Sequence, residues 1–268
     1  MTSQRFKEFK QLTQGKKLED RKRRKDWWHY PFSFISKYIT WILVKTPITA
    51  NMVTISGCII GLLGLLFVGF GNSFLIIVGF ILVYLYYLSD EIDGEVARAK
   101  KQESLKGIYY DQVGHYIFLG CFFSSFGFNI YRINSEFLYI ILGFLGSLFI
   151  LGIRTVRKIA IVASTKSKPK DFIIQKQETK QSLSSKSFFT ITKKIMLNLI
   201  NAFSHTHLIT TAFFAGNIYF ICTDHFQILE IIMLCYFVYM SIVFLSFIIF
   251  KSRSITKDVI AIQQSMEK

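Results

Sequence analysis

The sequence is poor in features that mark several common protein classes. It has three prolines and four cysteines among 268 residues, and no two cysteines form a CxxC pair. Collagen-like proteins and disulfide frameworks need far more of these residues, so both classes are excluded. Charged residues make up 18% of the chain, below the roughly 25% of soluble domains. Apolar residues make up 51%, with a mean hydropathy of +0.39, which indicates an integral membrane protein.

Six apolar stretches are long enough to cross a bilayer, for which a helix needs about 20 residues. They lie at residues 52–71, 73–92, 110–131, 137–156, 203–222 and 226–250. Each must be a helix, because lipid offers no hydrogen-bond partners to an open backbone. We therefore expect an all-α integral membrane protein in which residues 51–250 form a domain of six transmembrane helices.

The positions of the basic residues predict the orientation. The chain has 32 Lys and Arg residues, and all except Arg132 lie at the termini, before the first span or in every second loop. Because cytoplasmic loops carry the excess of Lys and Arg, we expect two basic cytoplasmic tails, residues 1–26 and 251–268, and a cytoplasmic loop at about 158–194. The net charge of +15 then reflects topology, and we expect no nucleic-acid partner.

Residues 27–50 differ from both the basic tail and the spans. They are amphipathic and rich in Trp and Tyr, which favour the headgroup layer of a bilayer. We expect an amphipathic helix that lies in the membrane interface before the first span. A short seventh span is the alternative, but Pro31, Lys37 and Lys45 interrupt the segment.

Ionisable residues collect at the predicted cytoplasmic ends of the second and third spans. Asp90 and Asp93 are three residues apart, and Asp111 and His115 are four apart, so each pair shares one face of its helix. A short connection between two antiparallel spans brings both pairs to the same leaflet. Charged groups inside membrane segments are costly and usually functional, so we expect these four side chains to form a site.

Converging carboxylates repel one another unless a cation neutralises them. Carboxylate oxygens select hard divalent ions, so the three aspartates predict a Mg²⁺ or Mn²⁺ site. Arg98 follows on the same helix and offers a forked set of donors that suits phosphate. The alternative is a set of ordinary helix-end charges, which we expect above all for Glu91 and Glu95, because they point away from the Asp90 face.

The spacing of these residues also forms a long pattern. It runs Asp90-x-x-Asp93-Gly94-x-x-Ala97-Arg98, eight residues, Gly107, three residues, Asp111, three residues and His115. This pattern resembles the signature of the CDP-alcohol phosphotransferase family, which has a fourth aspartate where this chain has His115. Upstream, Thr46-Pro47 and Asn51-x-x-Thr54 resemble the entry to that family's first helix, with three residues inserted.

The resemblance implies an activity. Members of that family cleave the pyrophosphate of a CDP-linked alcohol, transfer the phosphoryl-alcohol part to a hydroxyl acceptor and release CMP. Their first three aspartates hold one or two divalent ions, a role that the resemblance gives to Asp90, Asp93 and Asp111. The residues implied to line the CDP pocket are Gly94, Ala97, Arg98 and Gly107. The lipid could be donor or acceptor, a wholly polar acceptor stays open, and homodimers are usual in the family.

His115 is the departure from the family pattern. The aspartate at this position is thought to deprotonate the attacking hydroxyl. An imidazole, with an ordinary pKa of about 6.5, is chemically suited to the same role, and we expect His115 to be the general base. Two alternatives stay open: His115 binds the metal or substrate while another group is the base, or the site has lost or changed its reaction.

Four further residues are weaker candidates for substrate contact. Arg154 and Arg157 are three residues apart at the end of the fourth span and could bind a phosphate, although positive-inside anchoring explains them equally well. His207 begins the fifth span on the same leaflet and could line a substrate chamber. Asn51 belongs to the upstream part of the resemblance.

Two other classes of function stay open. A transporter could use the buried acids as a cation or proton path, but all of them lie at one leaflet and no broken helices are visible. A catalytically silent scaffold fits the change at His115. Small residues in the third and fourth spans could pack two helices of a dimer or of one chain.

Overall fold

The computed structural model describes residues 3–24, 30–166 and 206–266 of the chain. Every regular element in these ranges is an α-helix. The eight helices in them are α1 (Ser3–Arg24), α2 (Tyr30–Leu43), α3 (Ala50–Phe70), α4 (Ser73–Lys100), α5 (Leu105–Asn134), α6 (Leu138–Lys166), α7 (Thr206–Thr223) and α8 (Gln227–Met266).

Five segments of these helices are long and apolar enough to cross a membrane. They are Ala50–Phe70, Ser73–Lys100, Leu105–Asn134, Leu138–Val156 and Gln227–Ser252. The prediction of an all-α membrane protein is therefore confirmed. The span expected at 203–222 corresponds to the 18-residue helix α7, which is not among the five, and residues 203–205 lie outside the described ranges. Polar residues lower the hydropathy of α7, so its crossing stays a prediction.

The segments expected outside the spans are helical wherever the structure describes them. The predicted N-terminal tail contains the 22-residue helix α1, and the predicted interfacial segment contains the 14-residue helix α2. The cytoplasmic loop expected at about 158–194 stays a prediction: the apolar part of α6 ends at Val156, the helix continues to Lys166, and residues 167–205 lie outside the described ranges. The orientation of these segments toward a membrane stays a prediction.

The chain divides into two units. The first contains residues Met1–Ser147 and His205–Cys235, and the second contains Leu148–Ser204 and Tyr236–Lys268. In the second unit, α6 and α8 pack through aromatic rings. The Phe149 ring lies 5.3 Å from that of Phe244, centroid to centroid. All the motif residues of the sequence pattern lie in the first unit.

Helices α3 and α4 of the first unit pack closely through glycines. A methyl group on Gly79 would lie 2.7 Å from the carbonyl oxygen of Gly64, so neither position has room for a side chain. Such small-residue contacts let helix backbones approach within membranes. Toward the motif end, a side chain at Gly61 would meet the ring of Tyr86. The close approach brings the start of α3 beside the acidic end of α4.

Small residues also join α5 to α6 within the first unit. A methyl group on Gly143 would lie 2.7 Å from the carbonyl oxygen of Phe123, and one on Gly127 would meet the carbonyl oxygen of Tyr139. The hydroxyl of Ser147 accepts a hydrogen bond from the backbone N–H of Ser124 at 3.1 Å. These residues therefore serve packing within one chain, and homodimerisation stays a prediction that they do not support.

A buried aromatic core lies between α4, α5 and α7. The rings of Phe126 and Phe213 stack with centroids 4.1 Å apart, and those of Tyr86 and Phe118 stack at 4.0 Å. All four side chains are at most 4% exposed. The tyrosines of α4 also explain the polar character of α7, because the hydroxyl of Tyr87 pairs with that of Thr210 at 2.8 Å. The core fixes the α4 face that carries the motif.

Candidate active site

Two aspartates and a histidine converge where α4 and α5 face each other. The Nε2 atom of His115 lies 3.0 Å from an oxygen of Asp90 and 3.2 Å from an oxygen of Asp111. One possible ligand atom from each residue lies within 4.8 Å of those of the other two. Helix spacing predicted this meeting, because Asp111 and His115 share one face of α5 and Asp90 faces them from α4.

The other nitrogen of His115 has a partner that sequence reasoning missed. The hydroxyl of Tyr86 lies 2.8 Å from His115 Nδ1. The Tyr86 ring stacks on Phe118 and is 4% exposed, so the core holds the hydroxyl in place. A signal was available in the sequence, because Tyr86 lies four residues before Asp90 and therefore on the same face of α4.

Asp93 lies next to this cluster but has different neighbours. One of its oxygens accepts a hydrogen bond from the hydroxyl of Thr54 on α3 at 2.7 Å. It is not among the three residues that could share an ion in this arrangement. Its predicted role as a metal ligand stays a prediction. Thr54 belongs to the upstream sequence pattern, and the structure adds it to the candidate site residues.

A cavity of about 230 Å³ opens beside Asp93 and Asp111. It lies between the start of α3, the end of α4 and the start of α5. Five residues predicted to contact the nucleotide or substrate line it: Asn51, Gly94, Ala97, Arg98 and Gly107. The structure therefore places the carboxylate cluster beside this cavity, and the metal and nucleotide roles that the resemblance implies for these residues stay predictions.

Two features of this cavity favour the binding of a ligand. A methyl group on Gly107 would lie 3.1 Å from the side-chain oxygen of Asn51, so any larger residue there would fill part of the space. Arg98 donates through Nε to the carbonyl oxygen of Thr13 at 2.7 Å, while its Nη2 is buried without a hydrogen-bond partner in the described ranges. A buried donor without a partner indicates a missing acceptor, and phosphate is a suitable one.

Glu91 and Glu95 are not the ordinary helix-end charges that we expected. Both side chains are 1% exposed. Glu91 accepts a hydrogen bond from Lys17 Nζ at 2.8 Å. Glu95 accepts from Gln14 at 2.7 Å, and its other hydrogen bonds come from hydroxyls of α2. They do point away from the Asp90 face, as expected, but they bind α1 and α2 to the opposite side of α4. Their partners lie 55 to 81 residues away in the chain, so local spacing gave no signal.

The segment before α3 is fixed to the end of α4. Lys100 Nζ donates hydrogen bonds to the carbonyl oxygens of Thr46 at 2.6 Å and Ile48 at 2.7 Å. Thr49 caps α3 by accepting a hydrogen bond from the backbone N–H of Met52. Two of the three inserted residues, Ile48 and Thr49, are thus held in this segment, and the third, Ala50, begins α3. The segment places the first residues of α3 at the cavity.

One predicted substrate residue of the first unit, His207, does not line this cavity. His207 is buried, and its ring packs against that of Tyr87 with centroids 4.0 Å apart. Arg154 lies on the part of α6 that belongs to the second unit, and the side chain of Arg157 lies outside the described part of the structure. Substrate contact by these residues stays a prediction.

The donor set fits a divalent cation. Asp90, Asp111 and His115 offer two carboxylate oxygens and one imidazole nitrogen within a few ångströms of one another. Carboxylates suit Mg²⁺ and Mn²⁺, and an imidazole is tolerated well by transition ions such as Mn²⁺. A cation there would also relieve the repulsion between the two acids.

Comparison with known proteins shows to which family the chain belongs. A search of curated proteins found no match to this chain. A family model, described as CDP-alcohol phosphatidyltransferase, matches residues 47–222. The matched region covers more than half of the chain and contains the acidic cluster and its cavity. The chain therefore belongs to the CDP-alcohol phosphatidyltransferase family.

Proposed function

We propose that the protein transfers the phosphoryl-alcohol group of a CDP-alcohol to a hydroxyl acceptor and releases CMP, in the synthesis of a phospholipid or glycolipid. The acceptor oxygen attacks the phosphorus that carries the alcohol, and the bond from this phosphorus to the bridging oxygen breaks. The electron pair leaves with CMP. The proton of the acceptor hydroxyl passes to a base on the protein.

The observation that carries this proposal is the position of the acidic cluster at the edge of a cavity. Asp90 and Asp111 meet His115, and Asp111 also lines the cavity that contains Arg98 and Gly107. A diphosphate in this cavity would therefore lie against the carboxylate cluster on one side and the unpaired guanidinium nitrogen on the other.

We assign the base to His115. Its Nδ1 lies beside the hydroxyl of Tyr86, which can donate to this nitrogen or accept from it. In the imidazolium both ring nitrogens donate, Nδ1 to Tyr86 and Nε2 to the two carboxylates. To act as the base, His115 first loses the Nε2 proton, which keeps Nδ1–H on Tyr86 and leaves a lone pair on Nε2 for the acceptor proton. The carboxylates of Asp90 and Asp111, at 3.0 and 3.2 Å from Nε2, stabilise the imidazolium that results.

The two carboxylates of this cluster and a third carboxylate beside them would hold the cofactor. Asp90, Asp111 and Asp93 beside them would bind Mg²⁺ or Mn²⁺, which neutralises a diphosphate and stabilises the charge that develops on departing CMP. Thr54 orients one oxygen of Asp93 by its hydrogen bond at 2.7 Å. Such an outer partner fixes the carboxylate and contributes to metal affinity.

The proposal is tested by the release of CMP. The purified protein, in lipid nanodiscs with Mg²⁺ or Mn²⁺, is incubated with CDP-diacylglycerol, CDP-choline, CDP-ethanolamine or CDP-inositol and a mixture of hydroxyl acceptors. We expect CMP from at least one donor and none from Asp111→Asn. The matched control is Asp224→Asn, because Asp224 is exposed and lies outside the cluster and the cavity.

The assignment of His115 has its own test. If it is the base, His115→Ala abolishes CMP release but leaves metal-dependent binding of the CDP-alcohol unchanged. If it is a metal ligand, the same variant needs far more Mn²⁺ for half-maximal binding. Binding of a CDP-alcohol without turnover by the unmodified protein would instead identify a catalytically silent member of the family.

A further inference from the structure

A second cavity lies between α1 and α2, away from the motif residues. Its volume is about 560 Å³, larger than that of the cavity beside Asp93. Lysines from both helices, Lys10 and Lys37, line it together with Gln14 and the apolar side chains of Phe34 and Ile35. The cavity therefore combines two cations with an apolar wall.

Lys37 is an unusual lysine. It is only 8% exposed, and in the described part of the chain neither a carboxylate nor a hydrogen-bond acceptor pairs with it. Its ammonium lies over the rings of Phe34 and Tyr38, at 4.2 and 4.8 Å from their centroids. Ring faces attract the ammonium, and a lysine whose side chain is this largely buried normally has an anionic partner. The cavity that it lines has room for one.

The surroundings of the cavity indicate where the anion comes from. Phe34 is 62% exposed, and Ile35 and Tyr38 are each 48% exposed on the same helix. Aromatic and aliphatic side chains of this kind favour the boundary between lipid headgroups and acyl chains. A soluble phosphate ester would leave this apolar surface uncovered, whereas the acyl chains of a lipid would cover it.

We propose that this cavity binds an anionic phospholipid, with its headgroup phosphate held by Lys37 and Lys10 and its acyl chains against the exposed face of α2. The site is separate from the one that binds the CDP-alcohol, and its existence does not depend on the proposed reaction. Gln14, which lines this cavity, donates a hydrogen bond to Glu95 at 2.7 Å and so joins the cavity to the side of α4 opposite Asp90.

The bound lipid would bridge α1 and α2. Each helix contributes one lysine, and Gln14 already donates to the carbonyl oxygen of Ser33 on α2 at 2.7 Å. A phosphate shared by Lys10 and Lys37 adds a charge-assisted contact to this junction. Occupancy of the cavity is therefore expected to hold α1 in place.

The test measures retained lipid by native mass spectrometry. The protein is purified in detergent, supplied with palmitoyl-oleoyl phosphatidylglycerol or the matching phosphatidylcholine, and compared with its Lys37→Gln and Lys10→Gln variants. We expect preferential retention of phosphatidylglycerol, which falls about tenfold in Lys37→Gln and to a smaller extent in Lys10→Gln. The control is Lys7→Gln, which removes an equal charge from an exposed position of α1 outside the cavity and is expected to retain the lipid.

Other outcomes overturn the proposal. Equal retention by Lys37→Gln and the unmodified protein, or equal loss in Lys7→Gln, would show that this cavity is not the site. Loss of phosphatidylglycerol from Asp93→Asn would place the lipid at the motif instead. Displacement by millimolar glycerol phosphate would exclude a lipid as the required source of the phosphate. If Lys37→Gln does not fold, Lys10→Gln decides, since Lys10 is exposed.

Discussion

Glu95 offers a sharp test of how the N-terminal helices are held, because one buried carboxylate receives three hydrogen bonds. The donors are Gln14 at 2.7 Å, Ser36 at 2.6 Å and Thr40 at 2.8 Å. In Glu95→Gln the side chain keeps its shape but loses its charge. A hydrogen bond to a charged group contributes about 1 kcal/mol more than a neutral one. Glu95→Gln weakens three such hydrogen bonds, but a neutral amide costs less to bury than a carboxylate. The net destabilisation is therefore about 2 kcal/mol.

The assay follows unfolding and the exposure of α1 together. For a chain of this size, about 2 kcal/mol corresponds to a fall in the midpoint of thermal unfolding of roughly 5 °C. Because the lost bonds join α1 and α2 to α4, we also expect faster tryptic cleavage at Lys17, whose ammonium contacts Glu91. Both quantities are measured on the purified protein in neutral nanodiscs.

The matched control is Glu8→Gln, because Glu8 is an exposed glutamate of α1. It should leave both the midpoint and the rate of cleavage unchanged. If Glu95→Gln unfolds at the temperature of the unmodified protein and is cleaved no faster, then Glu95 does not bind the N-terminal helices to α4, and the account of its burial is wrong.

Three further predictions concern the site. Tyr86→Phe keeps the stacked ring but removes the hydroxyl that lies 2.8 Å from the imidazole of His115. We expect kcat for CMP release to fall about tenfold while the melting temperature stays unchanged. An unchanged kcat would contradict the role of Tyr86 in positioning His115. Thr54→Val removes the hydroxyl that donates to Asp93. We expect the Mg²⁺ concentration for half-maximal CMP release to rise at least about tenfold. If the variant needs the same Mg²⁺ concentration as the unmodified protein, Thr54 is not part of the site. Gly107→Ala adds a methyl group 3.1 Å from an oxygen in the cavity wall. We expect KM for the CDP-alcohol to rise about tenfold. A KM equal to that of the unmodified protein would show that the nucleotide binds elsewhere.

The sequence predicted the membrane class of the fold and much of the site for identifiable reasons. Hydropathy directly reflects how well a segment partitions into lipid, and five of the expected spans are long and apolar enough to cross a membrane. Helix periodicity placed Asp111 and His115 on one face, and the short link between α4 and α5 brought them to Asp90. These are local relationships, so a sequence contains enough information to predict them.

The remaining contacts depend on tertiary structure. Lys17 meets Glu91 across 74 residues, and no local pattern links the two. Asp93 was expected to join Asp90 in one ion site, but its contact with Thr54 depends on how closely α3 approaches α4. This distance is set by the glycines between the two helices, and hydropathy carries no information about it.

The burial of Glu91 and Glu95 on the reverse side of α4 has a consequence for protein engineering. The first two dozen residues resemble a dispensable basic extension, yet they supply the groups that neutralise or solvate both acids. Trimming them would expose two glutamates inside an apolar layer, and both lie within the motif segment itself. A chimera that takes this extension from a relative therefore needs that relative's residues at both glutamate positions as well. Otherwise the new extension must supply equivalent hydrogen-bond donors to both glutamates.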